Sequence, residues 1–250
     1  MNGVPVSDSQ NSDNIEEIVD GVDEQQRPES EGQGFLGWLR ETSIIVVTAL
    51  TISVLLRTFV FQAFYVPSQS MLEQLQVNDR IIASKISYKV GDINRGDVLV
   101  FQDPGNWLRE PDEQIGFRGA VTNFLTWIGV IPANSGKDLV KRVIGIPGDT
   151  VECCSPEGFI KINGKAIDES AYVRETTDQL DFKIVVPPGR LFMMGDNRGH
   201  SSDSRYHLDV ANGTIPIENV VGQVVAVVWP MERFGKLETP SVLSTVPNSK

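Results

Sequence analysis

A chain of 250 residues can hold one medium-sized domain with appendages and can bury a core without disulfides. Its 22 basic and 33 acidic residues give a net charge of −11, which argues against a nucleic-acid partner bound through phosphate neutralisation. The only cysteines, Cys153 and Cys154, are adjacent, so a disulfide between them closes a small ring and no long loop. The pair therefore does not identify a redox compartment, and it reads as structural or solvent-exposed rather than redox-active.

Residues 1–34 are rich in Asp, Glu, Ser, Gln and Asn. Acidic residues from Asp8 to Glu31 are opposed there only by Arg27, so the segment reads as a disordered acidic tail, with at most a short helix from Ile15 to Val19. From Phe35 the composition inverts. Ile44 to Leu56 carries no charge, and the apolar run resumes after Arg57 as far as Val66. A helix from Ile44 to Val66 is about 34 Å long against a hydrocarbon core of roughly 30 Å, so residues 35–66 are predicted to anchor the chain in a membrane. Arg57 is the objection, since a cation at mid-bilayer is costly. If the span begins near Trp38 or Leu39, Arg57 falls at the far interface, where it can snorkel, and Phe59, Phe61, Phe64 and Tyr65 take aromatic-anchor positions. A buried core helix and a cleavable signal peptide are the competing readings. The run is longer than a signal h-region, and no small-x-small site follows at the right distance.

Beyond Pro67 the pattern changes to short β-rich runs, from Arg80 to Ile86, Asp97 to Phe101, Leu139 to Ile146, Thr150 to Cys153, Phe159 to Ile162, Phe182 to Val186, Leu191 to Met194 and Val220 to Trp229. Residues 67–236 are thus predicted to form a mainly β domain, with a tail at 237–250. Asn163-Gly164, between apolar pairs, predicts a hairpin with a type I′ turn. Residues 103–138 read as an insertion around a short apolar helix from Phe117 to Ile131.

Three segments carry candidate chemistry: Val66 to Met71 (VPSQSM), Lys141 to Asp149 (KRVIGIPGD) and Gly195 to Arg205 (GDNRGHSSDSR). Ser68 and Ser70 lie two apart after a proline, and an extended backbone points both hydroxyls to one side. Serine is a weak nucleophile until a positioned base takes its proton. In a strand, period-2 alternation places Leu139, Lys141 and Val143 on one face and Arg142 on the other, so Lys141 sits in an apolar row. To act as a base near neutral pH a lysine needs its pKa lowered by roughly 3 units from about 10.4, about 4 kcal/mol of desolvation. Val66, Met71 and Leu75 are apolar and close in sequence to Ser70, so pockets they line are shallow and uncharged. A Ser-His-Asp triad or a metal site built on His200 and His207 with Asp203 and Asp209 is a minor alternative, because both histidines lie in one turn-rich segment.

The three segments resemble the boxes PSxSM, KRxxGxPGD and GDNRxxSxDSR of the type I signal peptidases, and Arg95 to Phe101 is similar to a further one. The resemblance runs from about Arg57 to Trp229 and leaves out the acidic tail and the insertion. It implies a catalytic domain of coiled antiparallel sheets after a single transmembrane helix, with Ser70 as nucleophile and Lys141 as general base. It further implies an oxyanion hole from the Ser70 N–H and the Ser68 hydroxyl, and a Ser201 that hydrogen-bonds and orients Lys141. Asp203 and Arg205, with Asp196 and Arg142, are implied to hold the third box in shape through ion pairs. No metal or cofactor is required. The implied substrates are signal peptides of exported preproteins, cut after small-x-small motifs near the secretion translocon. The implied place is the inner membrane with the catalytic domain on the periplasmic side, or an internal membrane such as the thylakoid, with the apolar stretch Phe64 to Met71 resting on the bilayer. The chain departs from the family where xPTL and Gly-Asp are usual, with Leu72-Glu73-Gln74-Leu75 and Asn78-Asp79 instead, which leaves the geometry beside the nucleophile open. A self-cleaving serine-lysine protease of the repressor type and a non-catalytic, membrane-tethered β domain are the alternatives. The first fits poorly with an anchor, the second with retention of Ser70 and Lys141.

Overall fold

Phe35–Phe59 forms a 25-residue helix, α1, and within it Gly37–Leu56 is uncharged but for Arg40 and Glu41, with mean hydropathy 1.7. Twenty residues at about 1.5 Å each match a hydrocarbon core of roughly 30 Å. Among the described residues it is the one helix long and apolar enough to cross a membrane. The computed structural model describes residues 34–105, 107–108, 138–177 and 179–247. The acidic tail with its short helix at Ile15 to Val19, and the apolar helix at Phe117 to Ile131, lie outside them, as does the Arg57 side chain. The chain divides into two units, Met1–Val47 and Thr48–Lys250.

The helix does not run to Val66. It ends at Phe59, and Phe61–Tyr65 is a strand, β1, paired antiparallel with β2 (Arg80–Ser84). Hydrophobicity alone cannot distinguish the end of a span from a half-buried strand. The decision is tertiary, because the Val60 carbonyl accepts from Lys85 N at 2.8 Å and the ladder from Phe61↔Ser84 to Tyr65↔Arg80 follows. Phe59 and Phe61 are exposed, but Phe64 is 2 % exposed and belongs to the core, so it is not an interfacial anchor. Val66 and Met71 are buried as well, so the apolar side chains of the stretch from Phe64 to Met71 face the core, while Pro67, Ser68 and Gln69 are exposed.

The remaining strands are β3 (Val98–Gln102), β4 (Asp138–Gly145), β5 (Thr150–Cys153), β6 (Lys161–Ile162), β7 (Lys165–Ala166), β8 (Phe182–Val185), β9 (Arg190–Met194), β10 (Ile215–Pro216), β11 (Val220–Trp229) and β12 (Gly235–Lys236). They form two antiparallel sheets, one ordered β1-β2-β11-β3-β4-β9-β10 with β12 on β11, the other β7-β6-β5-β8. Register shifts in β11 and between Val143 and Gly145 mark bulges, which increase twist and curl the larger sheet. Residues of β9 alternate between two cores: Leu191 and Met193 pack with Leu99, Leu139 and Val143, while Phe192 and Met194 pack with Ile144 and Val151. Both faces of β9 and of the end of β4 are thus covered, which is why these segments read as continuous apolar runs.

Asn163 and Gly164 both have positive φ, at 53° and 81°, and close the β6–β7 hairpin as the type I′ turn requires. Cys153 and Cys154 are joined to each other as a vicinal disulfide at the end of β5. Residues 237–247 are not a tail outside the domain. Leu243, on the short helix Ser241–Ser244, and Val246 are buried in the core that holds Phe192.

Asp149 joins several of these parts. Fully buried, it accepts from Arg95 Nε and Nη2 at 2.7 and 2.6 Å, from Ile146 N and from Asn163 Nδ2, while Arg95 Nη1 donates to the Val246 carbonyl. Asp149→Asn leaves the Arg95 guanidinium buried without its counterion, and the loss of stability is expected to be about 3–5 kcal/mol, read from chemical unfolding against wild type.

Candidate active site

The segment carrying Ser70 is held at both ends. Val66 N donates to the Asp79 carbonyl at 2.9 Å and Asn78 N to the Val66 carbonyl at 2.9 Å, while Leu72 N and Leu75 N donate back to Gln69 and Met71. Asn78 has φ 75°, a left-handed conformation in which asparagine is tolerated, and so serves where the family pattern has glycine. Asp79 is buried, accepts from Gln76 N at 2.8 Å and pairs with Arg233.

Within this frame Ser70 Oγ lies 2.6 Å from Lys141 Nζ, although the residues are 71 apart in sequence. Ser70 is 6 % and Lys141 3 % exposed. Lys141 stands opposite Leu99 across the β3–β4 ladder, and Leu139 and Val143, two residues to either side, share the core with Leu99. Burial lowers the Lys141 pKa from its ordinary value to about 8; the anions Asp203 and Asp196 resist that shift and Arg205 adds to it. Ser68 Oγ is 3.3 Å from Ser70 Oγ, on the same side. Among the described residues the Ser70 N–H has no acceptor.

Arg142, of opposite parity to Lys141, donates from Nε and Nη2 to Asp196 at 2.7 and 2.6 Å, and both side chains are completely buried. Asp203 accepts from Arg205 Nε at 2.9 Å and from Gly195 N at 3.0 Å, and burial and the Arg205 contact act oppositely on its pKa, with a net shift downward. These pairs fold Gly195 to Arg205 over the site. Asn197 N then donates to the Ser70 carbonyl at 3.1 Å and Asn197 Nδ2 to the Gln69 carbonyl at 3.0 Å. Gly195 is required, because a Cβ there would collide with Ser201 Oγ and the Ser70 carbonyl.

Two expectations for the site residues, those for Ser201 and Leu75, are corrected. Ser201 is buried, but its Oγ has no hydrogen-bond partner among the described residues; Lys141 Nζ is turned to Ser70 instead. Leu75 is fully buried behind the site with Val66 and Met71 and does not reach the cleft surface. The histidines stand apart from the serine-lysine contact: His207 stacks on Trp107 at 4.4 Å and shares a hydrogen bond with Ser202, and His200 is exposed. The cleft beside Ser70, about 140 Å³, is lined by Val66, Ser68, Met71, Leu139 and Lys141, and also by Leu108 at the edge of the insertion.

Sequence reasoning missed Glu169, which lies in no motif. It pairs with Arg198 at 2.6 and 2.7 Å and accepts from the Tyr172 hydroxyl at 2.6 Å, while Arg198 Nε donates to the Gly195 carbonyl. The Tyr172 ring lies under the Arg142 guanidinium, 5.0 Å from centroid to Cζ. An acidic residue between two short strands carries no local signal that it will meet a buried arginine.

The family described as signal peptidase, peptidase S26, matches residues 39–229. A signal peptidase I of Mycobacterium tuberculosis (strain ATCC 25618 / H37Rv) is 36% identical over 228 residues, covering 79% of this chain and 74% of that protein. One of Leptolyngbya laminosa is 34% identical over 202 residues, covering 81% and 83%. A crystal structure of a signal peptidase I from Enterococcus faecalis V583 aligns with 53% of this chain and 96% of its own at 25% identity, with a TM-score of 0.34, and the assignment does not rest on it. The chain belongs to the signal peptidase family, peptidase S26. It is accordingly a peptidase that removes signal peptides.

The pKa near 8 makes a direct prediction. Competitive labelling of amines, read at Lys141 by mass spectrometry, should rise with pH through a midpoint near 8, because only the neutral amine reacts. Asp203 favours the ammonium, so Asp203→Asn should move that midpoint lower.

Proposed function

We propose that Ser70 and Lys141 cleave the signal peptide as a dyad through an acyl-enzyme. The observation that carries this reading is the 2.6 Å contact between a serine hydroxyl and a desolvated lysine. The neutral Lys141 amine takes the Ser70 proton as Oγ attacks the carbonyl carbon of the scissile bond. The oxyanion that forms faces the Ser70 N–H, which has no other acceptor among the described residues, and the Ser68 hydroxyl. The Lys141 ammonium then gives its proton to the leaving nitrogen. A water, deprotonated by the same amine, attacks the ester, and the acid product leaves with Ser70 restored. Asp196, Arg142, Asp203 and Arg205 act by holding the loop over the dyad.

The narrow apolar cleft beside the dyad supports a preference for small residues at positions one and three before the cut, since a bulky side chain in a shallow pocket meets a wall. With such a peptide as substrate, Ser70→Ala and Lys141→Ala are each expected to abolish turnover and the double variant to be no worse, because interdependent groups are not additive. Replacing either small residue by Phe should block the wild-type enzyme. Substantial cleavage by Lys141→Ala would remove the dyad from the mechanism.

Helix α1 supports a second element, a single membrane anchor with the catalytic domain on the far side of the inner membrane or of an internal membrane, near the emerging preprotein. The full chain should stay in the membrane fraction through alkaline carbonate extraction, whereas a chain beginning near Val60 should be released. A full chain that washes off would rule the anchor out.

A further inference from the structure

The segment that carries the nucleophile is a wall between two cavities. Ser68, Ser70 and Met71 face the apolar cleft, whereas Gln69, Leu72 and Glu73 face a second cleft of about 240 Å³, completed by Glu175, Asn197 and His200. A peptide whose carbonyl carbon reaches Ser70 over the edge of this wall can place its acyl part on one side and its leaving amine part on the other. The apolar cleft, which suits the small side chains before the cut, takes the acyl part, so the second cleft lies where the amine part leaves.

We propose that this second cleft binds the first residues of the mature chain and, through Glu175, favours basic over acidic residues there. The proposal rests on the dyad reading above. Its floor is rigid, since Asn197 is tied to the nucleophile segment by the bonds to the Ser70 and Gln69 carbonyls. Its amides, from Gln69 and Asn197, suit a peptide backbone. Glu175 accepts from Gly199 N at 2.8 Å, which turns its carboxylate toward the cleft, and the absence of a side chain at Gly199 lets it approach closely. Among the described residues Glu175 forms no ion pair, and Asp196, deeper in the wall, is neutralised by Arg142.

The opposite rim holds the departure from the family pattern. Glu73 sits at φ 87°, a left-handed conformation that disfavours a glutamate, and from there its carboxylate pairs with Arg174 at 2.7 Å across the mouth of the cleft. Arg174 is 77 % exposed, so the pair is a surface strap that cancels the Glu73 charge and leaves Glu175 as the net charge at the mouth. The α-amine released by cleavage becomes an ammonium and meets the same field.

Three peptides with alanine at positions one and three before the cut, and Lys, Gln or Asp at the second position after it, test this with the full-length enzyme in detergent. The wild type should favour Lys over Asp in kcat/KM by about two- to five-fold, the range open to an exposed ion pair, and added salt should shrink the ratio. Glu175→Gln, whose amide oxygen can still accept from Gly199 N, should bring the ratio to about one. Arg174→Gln, which uncovers Glu73, should widen it. Glu152→Gln, which removes an equal charge on the second sheet, should keep the wild-type ratio. A ratio near one in the wild type, or one unmoved by Glu175→Gln, overturns the inference while the dyad stands. Failure to cleave any of the three, Gln included, overturns the dyad reading and the inference with it.

Discussion

A lysine amine 2.6 Å from a serine hydroxyl is useful only if the amine is neutral, and that demand organises the domain around it. Water must be excluded from Lys141, which places it within a strand whose neighbours on its face are apolar. The exclusion has to survive nearby charge. Asp196 and Asp203 both pull the amine towards the ammonium, and each carboxylate is held by its own arginine, Arg142 and Arg205. Burial remains the dominant influence because the ionic frame around the lysine is close to neutral in pairs.

That frame is an expensive way to fold a loop. Removing ionised groups from water costs several kcal/mol each, and packed apolar residues often stabilise a core as well as a buried ion pair does. What the pairs supply is geometry. Arg142–Asp196 and Arg205–Asp203 fix the two ends of the third box, and Arg198, held by Glu169, fixes its middle through the Gly195 carbonyl. The loop so fixed donates to the Ser70 carbonyl, and the nucleophile inherits its position from charges it does not touch.

The departure beside the nucleophile is absorbed by the same logic. Without the Pro-Thr turn, Glu73 and Asn78 take left-handed conformations and close the segment between Met71 and Asp79. Gln74 is put to work: its amide oxygen accepts from Arg142 and its amide nitrogen donates to the Glu238 carbonyl at 2.7 Å. The unusual residues thus tie the serine segment both to the buried ion-pair frame and to the chain beyond β12.

The sequence by itself determined the β character of the domain, most strand positions and the Asn163-Gly164 turn, because alternation and turn chemistry are local or short-range signals. It placed Ser70 and Lys141 as partners only through family resemblance; nothing local links residues 71 apart. The end of the apolar helix at Phe59, the burial of Phe64, the packing of Leu243 and Val246, the silence of Ser201 and the part played by Glu169 were decided by the tertiary structure alone. In each case the local residues are compatible with either outcome. The choice depends on which distant backbone or charge arrives to meet them: Lys85 N at the Val60 carbonyl, Phe192 in the core with Leu243 and Val246, and the Arg198 guanidinium at Glu169.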